Sequence, residues 1–143
     1  MGGVRAACYP TRMPLNLEQA AALEHVGDTL YIGFNDDLER VSFPKLRTVG
    51  GALIIESNAA LARIELPALE LVARYLHIHD SIALVELALP RLKSVGGELS
   101  LQGCPRLKTV RVGSAAQPAS VLRVEVKDCG APMLAGLHAR PSP

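Results

Sequence analysis

Aliphatic residues along this chain return at a fixed interval of 23 positions, and the interval holds without insertion or deletion through at least four copies. Leu23, Leu46, Leu69 and Leu92 are each followed three positions later by a valine, namely Val26, Val49, Val72 and Val95. Leu30, Leu53, Leu76, Leu99 and Leu122 keep the same spacing. A constant period of this length marks a solenoid, in which one repeat cannot bury its apolar side until a neighbour stacks on it. Inside the unit, Leu30-Tyr31-Ile32 returns as Leu53-Ile54-Ile55, Leu76-His77-Ile78, Leu99-Ser100-Leu101 and Leu122-Arg123-Val124. The outer positions are aliphatic and the middle one varies, the period-two pattern of a half-buried strand whose middle residue faces solvent.

Three residues past each strand stand Asn35, Asn58, Ser81 and Cys104, small side chains able to turn inward and satisfy backbone groups of the adjoining coil. Then come Leu38, Leu61, Leu84 and Leu107, followed by Val41, Ile64, Leu87 and Val110. Phe43, Leu66 and Leu89 are each followed by proline, at Pro44, Pro67 and Pro90. Proline inside a helix costs about 3 kcal/mol, so the return segment is predicted to be extended. Gly50-Gly51 and Gly96-Gly97 supply the corners before the next strand. Parallel strands joined by crossovers are overwhelmingly right-handed. The expected fold is therefore an all-β solenoid, a right-handed parallel β-helix.

Both ends of the repeat differ from its middle. Leu15 to Ala22 is rich in helix formers, which predicts a short capping helix over 15–23 after a flexible segment 1–14. Coils are expected from about 23 to 128. The last copy keeps Leu122 and Val124 but loses the Leu-x-x-Val segment to Ala115, Ala116 and Pro118. Residues 129–143, with Gly130, Pro132, Gly136, Pro141 and Pro143, read as a C-terminal cap and Pro-rich tail.

The unit L-x-I-x-x-N-x-x-L-x-x-V-x-F-P-x-L-x-x-V-G-G, seen from Leu30 to Gly51 and again from Leu53 to Ala73, resembles the leucine-rich repeats of receptor L domains and their bacterial relatives. The resemblance covers residues 23 to 113, with a decayed copy to about 128. It implies a leucine-rich, receptor L-domain-like solenoid whose relatives bind proteins or peptides, serve as ectodomain modules or stand as small surface proteins. Fold alone does not choose among these.

Composition narrows the classes. The 143 residues carry 15 Lys and Arg interspersed with 14 Asp and Glu, a net charge of +1, which offers no footprint for nucleic acid or an anionic membrane surface. No apolar run approaches the ~20 residues of a membrane span, and Arg5 and Pro10 interrupt the region a secretory signal would need. The expected location is the cytoplasm by default, or the cell surface if an upstream signal is missing. Cys8, Cys104 and Cys129 are odd in number and lack framework spacing, so free thiols are expected. On a 23-residue repeat, Cys104 and Cys129 fall two residues out of register, near the ~7 Å limit for a bridge.

The strand's outward column is Tyr31, Ile54, His77, Ser100 and Arg123, flanked by Tyr75 on one side and by Glu56, His79 and Gln102 on the other. Aromatic, isoleucine, histidine and arginine side chains on a flat, rigid surface suit an interface, so this face is the candidate contact surface for a protein or peptide. His77 and His79, two apart on a strand, are the candidates for a shared metal, but a usual site needs three or four ligands and Gln102 is a poor one. No metal or other cofactor is therefore expected. No nucleophile elbow or phosphate loop is present, and Glu56 and Glu125, three coils apart on this alignment, stand too far from each other to act as paired acid and base. The reading is a non-enzymatic interaction module. Its alternatives are a structural or accessory subunit assembling through the solenoid ends, and a surface ligand or glycan binder, the last disfavoured by 3% aromatics and no tryptophan.

Overall fold

The computed structural model describes residues 6–8, 13–14, 21–113, 119–130, 133–135 and 137–139. The strands in the first half are Ala6–Cys8 (β1), Met13–Pro14 (β2), His25–Val26 (β3), Leu30–Gly33 (β4), Arg40–Ser42 (β5), Thr48–Val49 (β6), Leu53–Glu56 (β7), Arg63–Glu65 (β8) and Leu71–Val72 (β9). They continue as Leu76–His79 (β10), Glu86–Leu89 (β11), Ser94–Gln102 (β12), Thr109–Val112 (β13), Ala119–Lys127 (β14), Met133–Ala135 (β15) and Leu137–Ala139 (β16). The molecule is an all-β, right-handed parallel solenoid of about four turns.

Each 23-residue unit becomes one coil with three strands, because three short alternating segments are separated by residues that turn the chain. On the first face β4, β7, β10 and the second half of β12 pair in parallel, with Leu30, Leu53, Leu76 and Leu99 in one row. The second face is the parallel stack β5, β8, β11, β13 and β15. The third joins β3, β6, β9 and the first half of β12, with Val26, Val49, Val72 and Val95 aligned. In β12 the third strand of one coil runs into the first strand of the next across a register shift between Val95 and Glu98.

Two turns and one strained corner close every interior coil. Pro44, Pro67 and Pro90 each follow the first residue of a β-turn, closed by Leu46 N–H to Phe43 carbonyl, Leu69 to Leu66 and Leu92 to Leu89. Proline suits that place because its φ is already near the turn value. The return is thus two strands hinged at the proline. At the other corner Phe34, Ser57, Asp80, Gly103 and Asp128 form a column at positive φ, between 53° and 65°. Each immediately precedes the inward ladder Asn35, Asn58, Ser81, Cys104 and Cys129.

The core is a set of aliphatic rows shared between coils. Leu30, Leu53, Leu76 and Leu99 are fully buried, as are Ile55, Ile78, Leu101, Leu61, Leu84, Ile64, Leu87 and Val110. At the first coil's end, β1 pairs antiparallel with β4, placing Cys8 beside Leu30 and Ala6 beside Ile32 on the backbone, and β2 pairs with β1. Strand edges there are met by hydrogen-bonded chain. Of the capping helix expected over 15–23, residues 15–20 lie outside the described residues. Ala21 and Ala22 alone have helical backbone, and no helical element stands among the described residues.

The fifth copy needs a correction. A constant interval of 23 would set Leu122 on Leu99, whereas the structure pairs Leu99 with Val124, Ser100 with Glu125 and Glu98 with Arg123. The chain takes two more residues to travel round this coil, so the strand arrives two positions late and Arg123 moves one row aside. Val124 is partly buried and Val126, at the inward row of Leu101, is 38% exposed.

Candidate binding face

The outward row of the first face is Tyr31, Ile54, His77, Ser100 and Glu125, each paired with the next by strand register. Gly33, Glu56, His79, Gln102 and Lys127 form the row beside it. Parallel register puts like positions one strand spacing apart, about 4.8 Å. Side chains on the face therefore touch each other before they touch anything else.

Most of the predicted contact residues are half-buried in this way. Tyr31 lies over Gly33 and donates from its hydroxyl to Glu56 Oε1 at 2.6 Å. Tyr75 and His77 have ring centroids 4.3 Å apart, and His77 stacks on His79 at 4.9 Å. His79 Nε2 and Ser100 Oγ share a hydrogen bond of 3.0 Å, and Ser100 is fully buried. Gln102 Nε2 donates to Glu125 Oε1 at 3.3 Å. Ser100, expected on the surface, is therefore a support beneath His79. Arg123, expected in the outward row, stands beside Glu98 and reaches both Glu98, at 3.9 Å, and Glu125, at 3.2 Å.

Two carboxylates outside the predicted set belong to the face. Glu98 sits 3.4 Å from His77 Nε2 and faces Arg123 as well. Glu125 enters the outward row only because the last coil is longer. The repeat places Glu98 in the flanking column with Tyr75, the one signal that points to it. Burial, reinforced by His79, pushes the His77 imidazole below its ordinary range, while Glu98 pulls the other way. Beside Tyr75 and His77 an open depression of about 540 Å³ is floored by Gly96 and Gly97 and edged by Arg74 and Glu98.

The stacked imidazoles lie in layers. Among the described residues no three His, Cys, Asp or Glu side chains come together as a metal would require. Ser100 is fully buried, and Glu56 and Glu125 lie in different rows on well-separated coils. On the return side Arg47, Glu70 and Lys93 occupy one position of three consecutive coils. The Arg47 hydrogen bond, with help from Lys93, holds the Glu70 carboxyl below its usual range. Arg40 pairs with Glu65 in the same fashion. Exposed pairs of this kind contribute little to stability.

Fold and face together define a β-solenoid scaffold with one braced strand face. Among the described residues no helix is long and apolar enough to cross a membrane. No protein-family model, curated protein or solved structure matches the chain.

Proposed function

We propose that this protein is a non-enzymatic interaction module whose first strand face receives a protein or peptide partner. The observation that carries the reading is the internally braced row of that face. Tyr31 is tied to Glu56, His77 to Glu98 and His79 to Ser100, so the contact side chains are ordered before a partner arrives. Ordering side chains costs about 0.5–1.5 kcal/mol each on association, and a surface that is already ordered avoids that loss. Ile54 and Tyr75 add apolar area between the braced polar groups. The likeness of the repeat to receptor L-domain leucine-rich repeats, many of which bind proteins or peptides, supports the same conclusion.

Affinity purification with mass spectrometry tests it, comparing the native chain with a variant carrying Tyr31→Ala, Ile54→Ala and His77→Ala. A single stoichiometric companion recovered by the native chain and lost by the variant supports the reading. Equal recovery by both, with the variant folded by circular dichroism, refutes it. A second reading, a structural or accessory subunit assembling through its ends, rests on β5. Among the described residues this strand pairs only with β8 and leaves one edge of the second sheet open. Concentration-dependent mass in light scattering would favour that reading over the first.

A further inference from the structure

The longer fifth coil brings together two side chains that a constant 23-residue interval holds apart. With Gln102 paired to Lys127, the chain enters the next corner in step on both coils, and Cys129 stands in the ladder directly after Cys104. Backbone bonds bracket the pair, from Gly103 N–H to Lys127 carbonyl at 3.0 Å and from Gly130 N–H to Cys104 carbonyl at 3.3 Å. Each thiol has the same orientation: Cys104 Sγ reaches the Gln102 carbonyl at 3.4 Å, and Cys129 Sγ the Lys127 carbonyl at 3.5 Å. In-register parallel chains are about 4.8 Å apart, inside the Cα separation of about 4.4–6.8 Å that a disulfide spans.

We propose that Cys104 and Cys129 are a disulfide-forming pair that staples the last two coils of the solenoid when the chain meets a low-molecular-weight disulfide such as glutathione disulfide. Both are free thiols in the structure. Cys104 is fully buried, whereas Cys129 is partly accessible. Burial pushes the Cys104 thiol up to about 12, with the Cys129 thiol adding to the rise, so Cys104 is a poor first nucleophile near neutrality. The order of events follows. Cys129 as thiolate attacks one sulfur of glutathione disulfide, breaking that bond and releasing one glutathione thiolate. The Cys104 sulfur then attacks the Cys129 sulfur, expelling the second glutathione, and the Cys104 proton passes to it. Two protein thiols are oxidised to one disulfide while glutathione disulfide is reduced to two glutathiones.

The terminal coil is where such a bond has most effect. End repeats have a neighbour on one side and fray first, and Val126 on this coil is already 38% exposed. The experiment is to incubate the native chain with glutathione disulfide, block remaining thiols, and map the peptides without reduction. A Cys104–Cys129 linked peptide within one chain, with a mass loss of about 2 Da, is the expected result. Hydrogen exchange should then show backbone amides of Ala119–Lys127 opening about a hundredfold less often in the oxidised chain, as closing a loop of this size implies. A stable glutathione adduct on Cys129 with Cys104 still free, a link between two chains, or two unreacted thiols would each overturn the proposal. Unchanged exchange after the bond forms would overturn the stapling role.

Discussion

The inward polar ladder makes opposite demands at two neighbouring positions. Asn58 is fully buried, and its Oδ1 accepts the Asn35 backbone N–H at 3.1 Å and the Asn35 side-chain amide at 2.9 Å, while its Nδ2 donates to the Ile32 carbonyl at 3.2 Å. Replacing Asn58 by alanine removes all three bonds, two of them to backbone groups of the preceding coil. At about 0.5–1.5 kcal/mol for each hydrogen bond lost, Asn58→Ala should cost about 3 kcal/mol. One coil further on, Ser81 Oγ is buried without a hydrogen-bond partner among the described residues. Ser81→Ala discards a desolvated hydroxyl that returns nothing, so it should leave stability within about 0.5 kcal/mol or raise it slightly. Urea unfolding followed by far-ultraviolet circular dichroism measures both. With a slope of about 2 kcal/mol per molar urea, the Asn58→Ala midpoint falls by about 1.5 M and the Ser81→Ala midpoint by no more than about 0.3 M. Asn58→Ser, which retains an acceptor for the Asn35 N–H, should lie between. Equal shifts for Asn58→Ala and Ser81→Ala would refute the idea that the ladder works by pairing backbone groups between coils.

Gly96 bends the chain within β12, and a Cβ there would run into the Ala73 backbone carbonyl, which has no rotamer to escape through. Gly96→Ala should therefore lower the urea midpoint by the equivalent of about 1–3 kcal/mol, and an unchanged midpoint would show that the corner is not tight. His77 titrates lower in the folded chain than the ordinary imidazole value of about 6.5, so the unfolded chain binds the extra proton first as pH falls. Stability is then fully retained above pH ~6.5 and declines as pH drops through the lower folded value. His77→Gln should flatten that decline in unfolding free energy measured between pH 7 and 5, and an identical pH profile for both chains would sink the assignment.

Much of the solenoid is legible in one line of sequence. The alternation Leu30-Tyr31-Ile32, repeated every 23 residues, tells which side chains enter the core, because a strand's period of two and a coil's fixed length are local properties. The prolines after Phe43, Leu66 and Leu89 exclude a helix on the return for an equally local reason. The candidate face is legible as a column of residues, but its packing is not. That Ser100 supports His79 from a fully buried position, and that Glu98 rather than Glu56 meets His77, depends on which rotamers fill the space between coils.

Tertiary structure alone decided the register of the last coil and the closure of the first. Leu122 matches the pattern of Leu99, yet Val124 takes the place beside it, because register between coils is set by how much chain the intervening corner consumes and by the backbone bonds that result. Ala6–Cys8 has no periodic signal, and its antiparallel bond to β4 arises from an edge that needed partners. Periodicity determined what faces inward within a coil. Only stacking determined which side chains from different coils meet, and it is stacking that sets Cys129 beside Cys104.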